Sequence, residues 1–461
     1  MNKIPVIAIF DIGKTNKKLF FFDEQYKIVF EQQASFMEIQ DEDGDPCEDL
    51  DQLIHWVKNT LDLSFNNALY DVKAINFCAY GASFVHLGRE GKPLTPLYNY
   101  LKEYPAELSR DFYQAYGGTV TFPMLTASPV LGSLNSGMQL YRIKKKQPAI
   151  FNRIKYSLHL PQFLAFLVSG KYYSEMTSIG CHTNLWNFPQ HHYHEWVYRE
   201  EILDKLAPIV PSNHSEELKI SGKFIHVGVG LHDSSSALIP YLESFREPFI
   251  LISTGTWCIN LNPFNSKPLS IAELQEDCLC YLSFRGNPVK ASRIFAGYQH
   301  EQEVRRISAH FKKPENYYTT VIYNHEIIDS LSKINTKNTS GRSPGDSLFH
   351  QRDLSTFQNY EEAYHQLMLD IIRDQTHALH LILEGTAVKR IFVDGGFGKN
   401  LLYMHLLAES LGKIEVFAAS VPQATAMGAA LVIHEAWNKK ALPNDIIDLK
   451  IYTAVHPNIS K

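Results

Sequence analysis

Clustered charge of one sign, paired cysteines and long apolar runs are all scarce in this chain. The formal net charge is −5, with acidic and basic residues mixed along the sequence. The densest cationic run, Lys144-Lys145-Lys146, reads as a solvated helix end. This balance excludes a basic stripe of the kind that holds nucleic acid or acidic lipid. None of the six cysteines forms a Cys-x-x-Cys pair, and Cys278 and Cys280 are too close for ordinary zinc ligation. Several sit in apolar segments, where cysteine acts as a small hydrophobe, as expected in a reducing cytoplasm. No stretch approaches the roughly 20 apolar residues of a membrane span. Asp11 and Lys14 interrupt the first apolar run, so no signal peptide is expected. Two phosphate-binding fingerprints are also missing: no Walker loop and no Gly-x-Gly-x-x-Gly turn.

What the chain does have is length, 461 residues with 45% apolar content, enough for roughly two to three domains. It also has a pair of similar turns. Val6 to Phe10 lead into Asp11-Ile12-Gly13-Lys14-Thr15-Asn16-Lys17, and Leu19 to Phe22 lead out. Phe249 to Ile252 lead into Ser253-Thr254-Gly255-Thr256, and Cys258 to Leu261 lead out. Each reads as a hairpin with a small, donor-rich turn. Two such hairpins, one opening each half, suggest a duplicated fold gripping one polyanion between its halves, which points to ATP.

The intervening patterns fit layered α/β structure. Leu53, Trp56, Val57 and Leu61 share a helical face within 50–63. Residues 74–79 read as a buried strand ending at Gly81. Val85 to Leu87 with the turn at Arg89-Glu90-Gly91-Lys92 suggests a further hairpin. Within 101–220 one clear helix is expected, Pro161 to Val168, stopped by Ser169-Gly170. Residues 310–358 read as loops of a surface insertion. A long amphipathic helix spans 360–384, a strand 390–393, a helix 401–411, a strand 414–418 and a final helix 424–437. Each half thus runs hairpin, helix, strand, glycine loop, with no residue-level repeat.

Besides the second turn, chemistry concentrates in three places. Gly13 lets the backbone approach a phosphate, and Thr15, Asn16 and Lys17 add donors. Asp11 can hold Mg²⁺ through water, because Mg²⁺ gives up its hydration reluctantly. In Asp394-Gly395-Gly396-Phe397-Gly398-Lys399-Asn400, a strand-to-helix turn, two successive glycines permit close packing of a flat ring or sugar. His232-Asp233 follows an apolar strand; an aspartate there is commonly a helix N-cap, and can also be a general base. Gln190-His191-His192-Tyr193-His194 has no acidic or cysteine partner at metal-ligand spacing and reads as a structural loop.

Taken in order, these segments resemble the FGGY family of carbohydrate kinases, in the actin/hexokinase/Hsp70 superfamily. Asp11 to Asn16 is similar to the first phosphate motif. Ser253-Thr254-Gly255-Thr256-Trp257 is similar to the second, in a form near that of the rhamnulokinase and fuculokinase branches. Asp394 to Asn400 resembles the adenosine motif, and Val421-Pro422-Gln423-Ala424-Thr425-Ala426-Met427-Gly428-Ala429-Ala430 the closing helix whose glycine borders the nucleotide. Gly230-Leu231-His232-Asp233 resembles the segment of the catalytic aspartate. Gly81-Ala82-Ser83-Phe84 and Pro96-Leu97-Tyr98-Asn99-Tyr100 align with sugar-binding segments. Three residues depart from the family pattern: Lys14 replaces a small hydroxyl, while Tyr100 and Gln162 stand where acidic residues are frequent.

The resemblance implies an α/β protein of two actin-like domains, 1–245 for sugar and 246–461 for nucleotide, closing over a cleft. It implies transfer of the γ-phosphoryl group of MgATP to a hydroxyl of a ketose. A 6-deoxyketose such as L-rhamnulose or L-fuculose leads; xylulose and other ketoses or polyols stay open, as does a non-catalytic nucleotide sensor. Asp233 would be the base. Asp11 would organise Mg²⁺. Gly13, Lys14, Thr15, Asn16, Lys17, Thr254, Gly255 and Thr256 would position phosphates, and Gly395, Gly396, Asn400 and Gly428 would border adenosine. Gly81, Ala82, Ser83, Tyr98, Tyr100, His232 and Asp233 would meet the sugar. Sugar and ATP are the expected partners, without nucleic acid or membrane, and a homodimer remains open.

Overall fold

The computed structural model describes residues 3–334 and 347–453. Two seven-stranded sheets organise it. The first contains β1 (Ile4–Ile12), β2 (Lys17–Asp23), β3 (Ile28–Ala34), β4 (Tyr70–Ala79), β5 (Ser215–Ile220), β6 (Lys223–Gly228) and β7 (Leu231–His232). Its order is β5-β6-β4-β1-β2-β3, with β7 continuing beside β4. The second contains β8 (Phe249–Thr254), β9 (Cys258–Asn262), β10 (Leu279–Leu282), β11 (Pro288–Ile294), β12 (Arg390–Gly395), β13 (Glu415–Ser420) and β14 (Asp448–Tyr452), ordered β10-β11-β9-β8-β12-β13-β14.

The sheets share one plan. A hairpin, β1-β2 or β8-β9, supplies the central strand, which pairs in parallel with a later strand, β4 or β12. Both central strands are covered on both faces. Val6 to Phe10 and Phe249 to Ile252 are therefore continuous apolar runs rather than alternating ones.

Helices cover the sheets where the apolar spacing predicts. α1 (Leu50–Phe65) buries Leu50, Leu53, Val57 and Leu61, and Asp49 caps it by accepting from the Gln52 amide. α2 (Leu160–Ser169) stops at Gly170, whose φ of +67° closes the helix in the left-handed region. α3 (Asp233–Ser244) begins directly after β7. α4 (Ala296–Phe311), α5 (Tyr360–Leu383) and α6 (Leu401–Leu411) belong to the second half. α7 (Ala424–Leu431) packs against α3 and also against β1 and β4 of the first sheet. Asn76, fully buried in β4, donates to the Ala429 carbonyl (2.8 Å) and accepts from the Gly230 amide (3.1 Å). The α3–α7 pair is thus part of one apolar core shared by both sheets.

Several sequence expectations need correction. Residues 101–220 hold more than one helix: 106–115, 118–126, 136–146 and 148–153 are also helical. They are short and broken by Gly117 and Gly118 at positive φ and by Pro148, so no long period shows in the sequence. Their apolar faces meet in an aromatic cluster of Phe112, Phe122, Tyr141 and Trp196. The strand at 84–87 makes a turn through Gly88–Lys92, but its main partner is the strand at 156–159. The 310–358 segment carries a helix at 325–334; residues 335–346 lie outside the described residues. The final helix ends at Leu431, and a separate turn, 434–437, brings His434 to the Tyr26 hydroxyl at 2.6 Å. His194 caps the helix at 195–199, as a structural loop requires.

Candidate active site

The parallel register sets the site. Asp11 in β1 pairs with Cys78 of β4, and Leu231 of β7 pairs with the same Cys78 from the other side. The strand ends therefore bring Asp11 and Asp233 to one edge of the first sheet. In the second sheet, Ser253 and Thr254 pair with Asp394 and Gly395. This places the hairpin turn beside the glycine loop. Ligand sites lie characteristically outside the carboxyl ends of parallel strands.

The two hairpin turns are closed alike. The Gly13 amide donates to the Asn16 carbonyl (2.9 Å), and the Gly255 amide to the Trp257 carbonyl (2.9 Å). Thr15, Asn16, Gly255 and Thr256 are exposed. A Cβ on Gly255 would meet nothing nearer than 4.0 Å, so this glycine opens space rather than relieving a clash. Gly395 is different: its φ is +95° and a Cβ would lie 2.0 Å from the Thr254 carbonyl. The Thr254 hydroxyl donates to the Asp394 carbonyl (2.6 Å) and accepts from the Phe397 amide (3.0 Å), so it fastens the loop.

Against this loop lies a cavity of about 600 Å³. Gly255, Gly396, Phe397, Lys399 and Asn400 line it, joined by residues outside any motif: Gly297, His300, Tyr318, Val321 and Ile322. Gly297 is forced, because a Cβ there would fall 1.8 Å from the Gly255 carbonyl. The Asn400 side-chain amide donates to the Tyr364 hydroxyl (2.7 Å), which meets His300 Nε2 at 3.0 Å. Burial pushes His300 down to about 4, so its ring is neutral. The wall is therefore apolar and aromatic, with His300 edge-on to Phe397.

At the first sheet, Asp233 is the opening residue of α3 and about a third exposed (32%). His232, not Asp233, takes the N-cap position. The Asp233 Oδ1 accepts from the Ser234 amide (2.6 Å) and the Ser234 hydroxyl (3.2 Å), and lies 3.1 Å from His232 Nε2. Burial would raise the Asp233 pKa, but His232 and the Ser234 donors outweigh it and hold the carboxyl below its ordinary range. Asp11 moves the other way, up to about 7, through burial and the nearby Asp233 charge.

Several expected site residues are occupied elsewhere. Lys17 is not available to phosphate: it is buried, ion-paired to Glu48 at 2.6 Å, and donates to the Lys14 carbonyl at 3.0 Å. It lies on the inward face of β2, where a cation must have a partner. Lys14 pairs with Glu38 at 2.6 Å. Tyr98 is buried, with its hydroxyl on Glu42, and Ser83 donates to the Tyr98 carbonyl. Ala82 turns at φ +63° and its carbonyl accepts from Gln139. Gly81 has no room for a side chain, since a Cβ would sit 2.6 Å from Cys181 Sγ. Gly428 does not border the cavity; a Cβ there would fall 1.9 Å from the Ser236 carbonyl, so it serves the α3–α7 contact. Tyr100 is half-buried, and the Asp233, Glu38 and Glu48 charges reach it. Gln162 donates to the Gly230 carbonyl (2.8 Å) and holds the turn before His232.

Residues 6–233 match the N-terminal domain model of the FGGY family of carbohydrate kinases, and residues 246–441 the carbohydrate kinase FGGY C-terminal domain model. The chain belongs to the FGGY family. This FGGY chain is 24% identical over 278 residues to a rhamnulokinase of Halalkalibacterium halodurans; the match spans 57% of each. It is similar in structure to a carbohydrate kinase from Novosphingobium aromaticivorans, with a TM-score of 0.81 at 21% identity, over 99% of this chain and 95% of that one. It is also similar to a ligand-bound xylulose kinase from Lactobacillus acidophilus, with a TM-score of 0.76 at 16% identity, over 98% and 94%. The two sheets are accordingly the actin-like α/β halves expected of the FGGY fold. Among the described residues of this FGGY chain, no helix is long and apolar enough to cross a membrane.

Proposed function

We propose that this protein transfers the γ-phosphoryl group of ATP to a hydroxyl of a ketose, with residues 1–245 holding the sugar and residues 246–461 the nucleotide. The observation that carries this reading is the Asp233 carboxylate. Its Oδ1 is engaged by His232 and Ser234 while Oδ2 has no hydrogen-bond partner among the described residues, at the same strand ends as Asp11. An acceptor hydroxyl placed there would give its proton to Oδ2 as its oxygen attacks the γ-phosphorus and the bond to the leaving ADP oxygen breaks. Depressed basicity suits the role, because in a loose transition state the proton leaves late and the carboxylate chiefly orients the hydroxyl.

The aromatic cavity suits a flat base. His300, Tyr318 and Phe397 supply its ring surfaces, and Gly396 lets the backbone come close. The exposed turns at Gly13–Asn16 and Gly255–Thr256 would offer amides and hydroxyls to the phosphates. Lys14 would leave Glu38 to reach them. Asp11, raised chiefly by burial and then by the nearby Asp233 charge, would gain from a hydrated Mg²⁺ bound alongside the nucleotide. When bound, that ion supplies charge neutralisation at the phosphates.

A 6-deoxyketose such as L-rhamnulose or L-fuculose is the substrate proposed. The rhamnulokinase relative and the Thr256-Trp257 turn support it. The test is ADP release across a panel of ketoses, aldoses and polyols. Turnover highest on L-rhamnulose or L-fuculose bears the reading out. Preference for xylulose or a polyol replaces the substrate, and ATP binding without ADP release on any sugar overturns the kinase.

A further inference from the structure

Behind Asp233 lies a buried group that proton transfer itself does not require. His182 and His232 flank Cys181, with His182 Nε2 at 3.3 Å and His232 Nε2 at 3.1 Å from Sγ. His232 and Cys181 are buried. Three separate elements hold this group. Cys181 follows the short helix 176–179, whose Thr177 accepts from the His232 amide at 3.0 Å. Glu175, also buried, anchors Thr177 in turn at 2.6 Å. The Tyr281 ring stacks on His232 from β10 of the other half, 5.7 Å between centroids. Gly81 leaves the space the cluster needs.

The partners of His232 bear on its protonation. Its Nε2 lies 3.1 Å from Asp233 Oδ1, which can only accept when ionised, and 3.1 Å from Cys181 Sγ. Its Nδ1 lies 3.3 Å from Ser235 Oγ, and the Ser235 hydroxyl donates its single proton to the Leu282 carbonyl at 3.2 Å. A carbonyl can only accept, so Ser235 Oγ is left as an acceptor for Nδ1. With the Ser235 hydroxyl turned to Leu282, both ring nitrogens carry hydrogen and the ring is an imidazolium.

We propose that His232, clamped between Cys181 and Ser235, is a positioning residue that ties down Oδ1 of Asp233 and leaves Oδ2 as the proton acceptor. This rests on Asp233 being the base of the proposed reaction. His232 would then act through Asp233 and not as a sugar contact. The groups facing His232 and Asp233 are Cys181, His182, His159 and Tyr281 around the ring, and Asp11, Cys78, Tyr100, Tyr281 and the Ser234 donors around the carboxylate. The electrostatics agree in direction: His232 is raised to about 10, against burial, by Cys181 and Asp233, and Cys181 is lowered to about 6 by the two histidines despite its burial.

The experiment has two arms. In the first, ¹⁵N-histidine NMR follows His232 in the full-length protein from pH 5 to 9. His232 is expected to stay doubly protonated through pH 8 and to titrate lower in Asp233→Asn. A His232 ring that titrates at the ordinary value of about 6.5 overturns the inference whatever the enzyme does. In the second arm, kcat/KM for the best sugar of the panel is measured against pH for His232→Gln, which keeps a donor but removes the charge. The acid limb is expected to move up by about 1 to 3 pH units, kcat to fall at least about tenfold, and the KM for ATP to hold. In the Asp233→Asn background, His232→Gln should cost no further activity. An unshifted limb, or full additivity with Asp233→Asn, overturns the inference. Should His232→Gln not fold, Cys181→Ala decides: a lower kcat at unchanged KM for ATP supports the positioning, and an unchanged kcat overturns it. A wild type that releases no ADP with any sugar defeats the kinase reading, while the NMR arm still tests the clamp.

Discussion

Lys17 and Glu48 form an ion pair 2.6 Å apart with side chains only 1% and 4% exposed, directly beneath the first glycine turn. Lys17 also donates to the Lys14 carbonyl, so the pair holds the turn from below. Removing one partner leaves a buried charge alone, which costs about 3–5 kcal/mol. Lys17→Met is expected to lose that much stability in urea unfolding while the folded protein binds ATP as before. A large loss of ATP affinity at unchanged stability would return Lys17 to the phosphates.

Asp233→Asn removes the proposed proton acceptor and keeps the shape. Turnover is expected to fall by about 10²–10⁴, with ATP affinity unchanged by calorimetry. Wild-type turnover in this variant would remove Asp233 from the chemistry.

Gly255 borders open space, and a side chain there would project into it. Gly255→Val should fold normally and raise the KM for ATP by about tenfold, the equivalent of about 1.4 kcal/mol. Unchanged nucleotide affinity would show that the second turn does not meet phosphate.

Gly428→Val probes a different contact. Its first side-chain atom would fall on the Ser236 carbonyl of α3. Overpacking of this kind costs about 1–3 kcal/mol, so the melting temperature should drop. A variant as stable as wild type that binds ATP poorly would instead put Gly428 at the nucleotide.

Burial depresses His86 and His159 to about 3 and His194 to about 4. Each stays neutral in the fold while its unfolded counterpart takes a proton below about pH 6.5. The unfolded state then binds more protons, so stability falls as the pH is lowered from about 6.5 toward the folded values, by up to about 1.4 kcal/mol per pH unit for each histidine. Urea unfolding of wild type against His159→Gln between pH 7 and 4.5 should show the shallower slope in the variant. Equal slopes would mean that His159 does not stay neutral.

Local patterns carried much of the architecture. The apolar runs flanking both glycine turns mark central strands because such strands are covered on both faces. Helix 401–411 and the stop at Gly170 were legible from spacing and a left-handed cap. The helices between 106 and 153 were not, because they are short, broken by glycine and proline, and held by an aromatic cluster assembled from distant positions.

Asp233 and the two turns stood out in sequence because the proposed chemistry calls for particular residue types at particular turns. Whether a given side chain faces the cleft could not be read there. Lys17, Tyr98, Ser83 and Gly428 stand within recognisable motifs, yet the packing engages each with another part of the protein. His300, Tyr318 and Gly297 join the cavity from segments without any motif. A sequence records which groups are available within a few residues of chain; sheet register and helix packing decide which of them meet. The Cys181–His232–Asp233 cluster shows the difference: residues 181 and 232 are 3.1 Å apart only because two chain segments meet at the end of one strand.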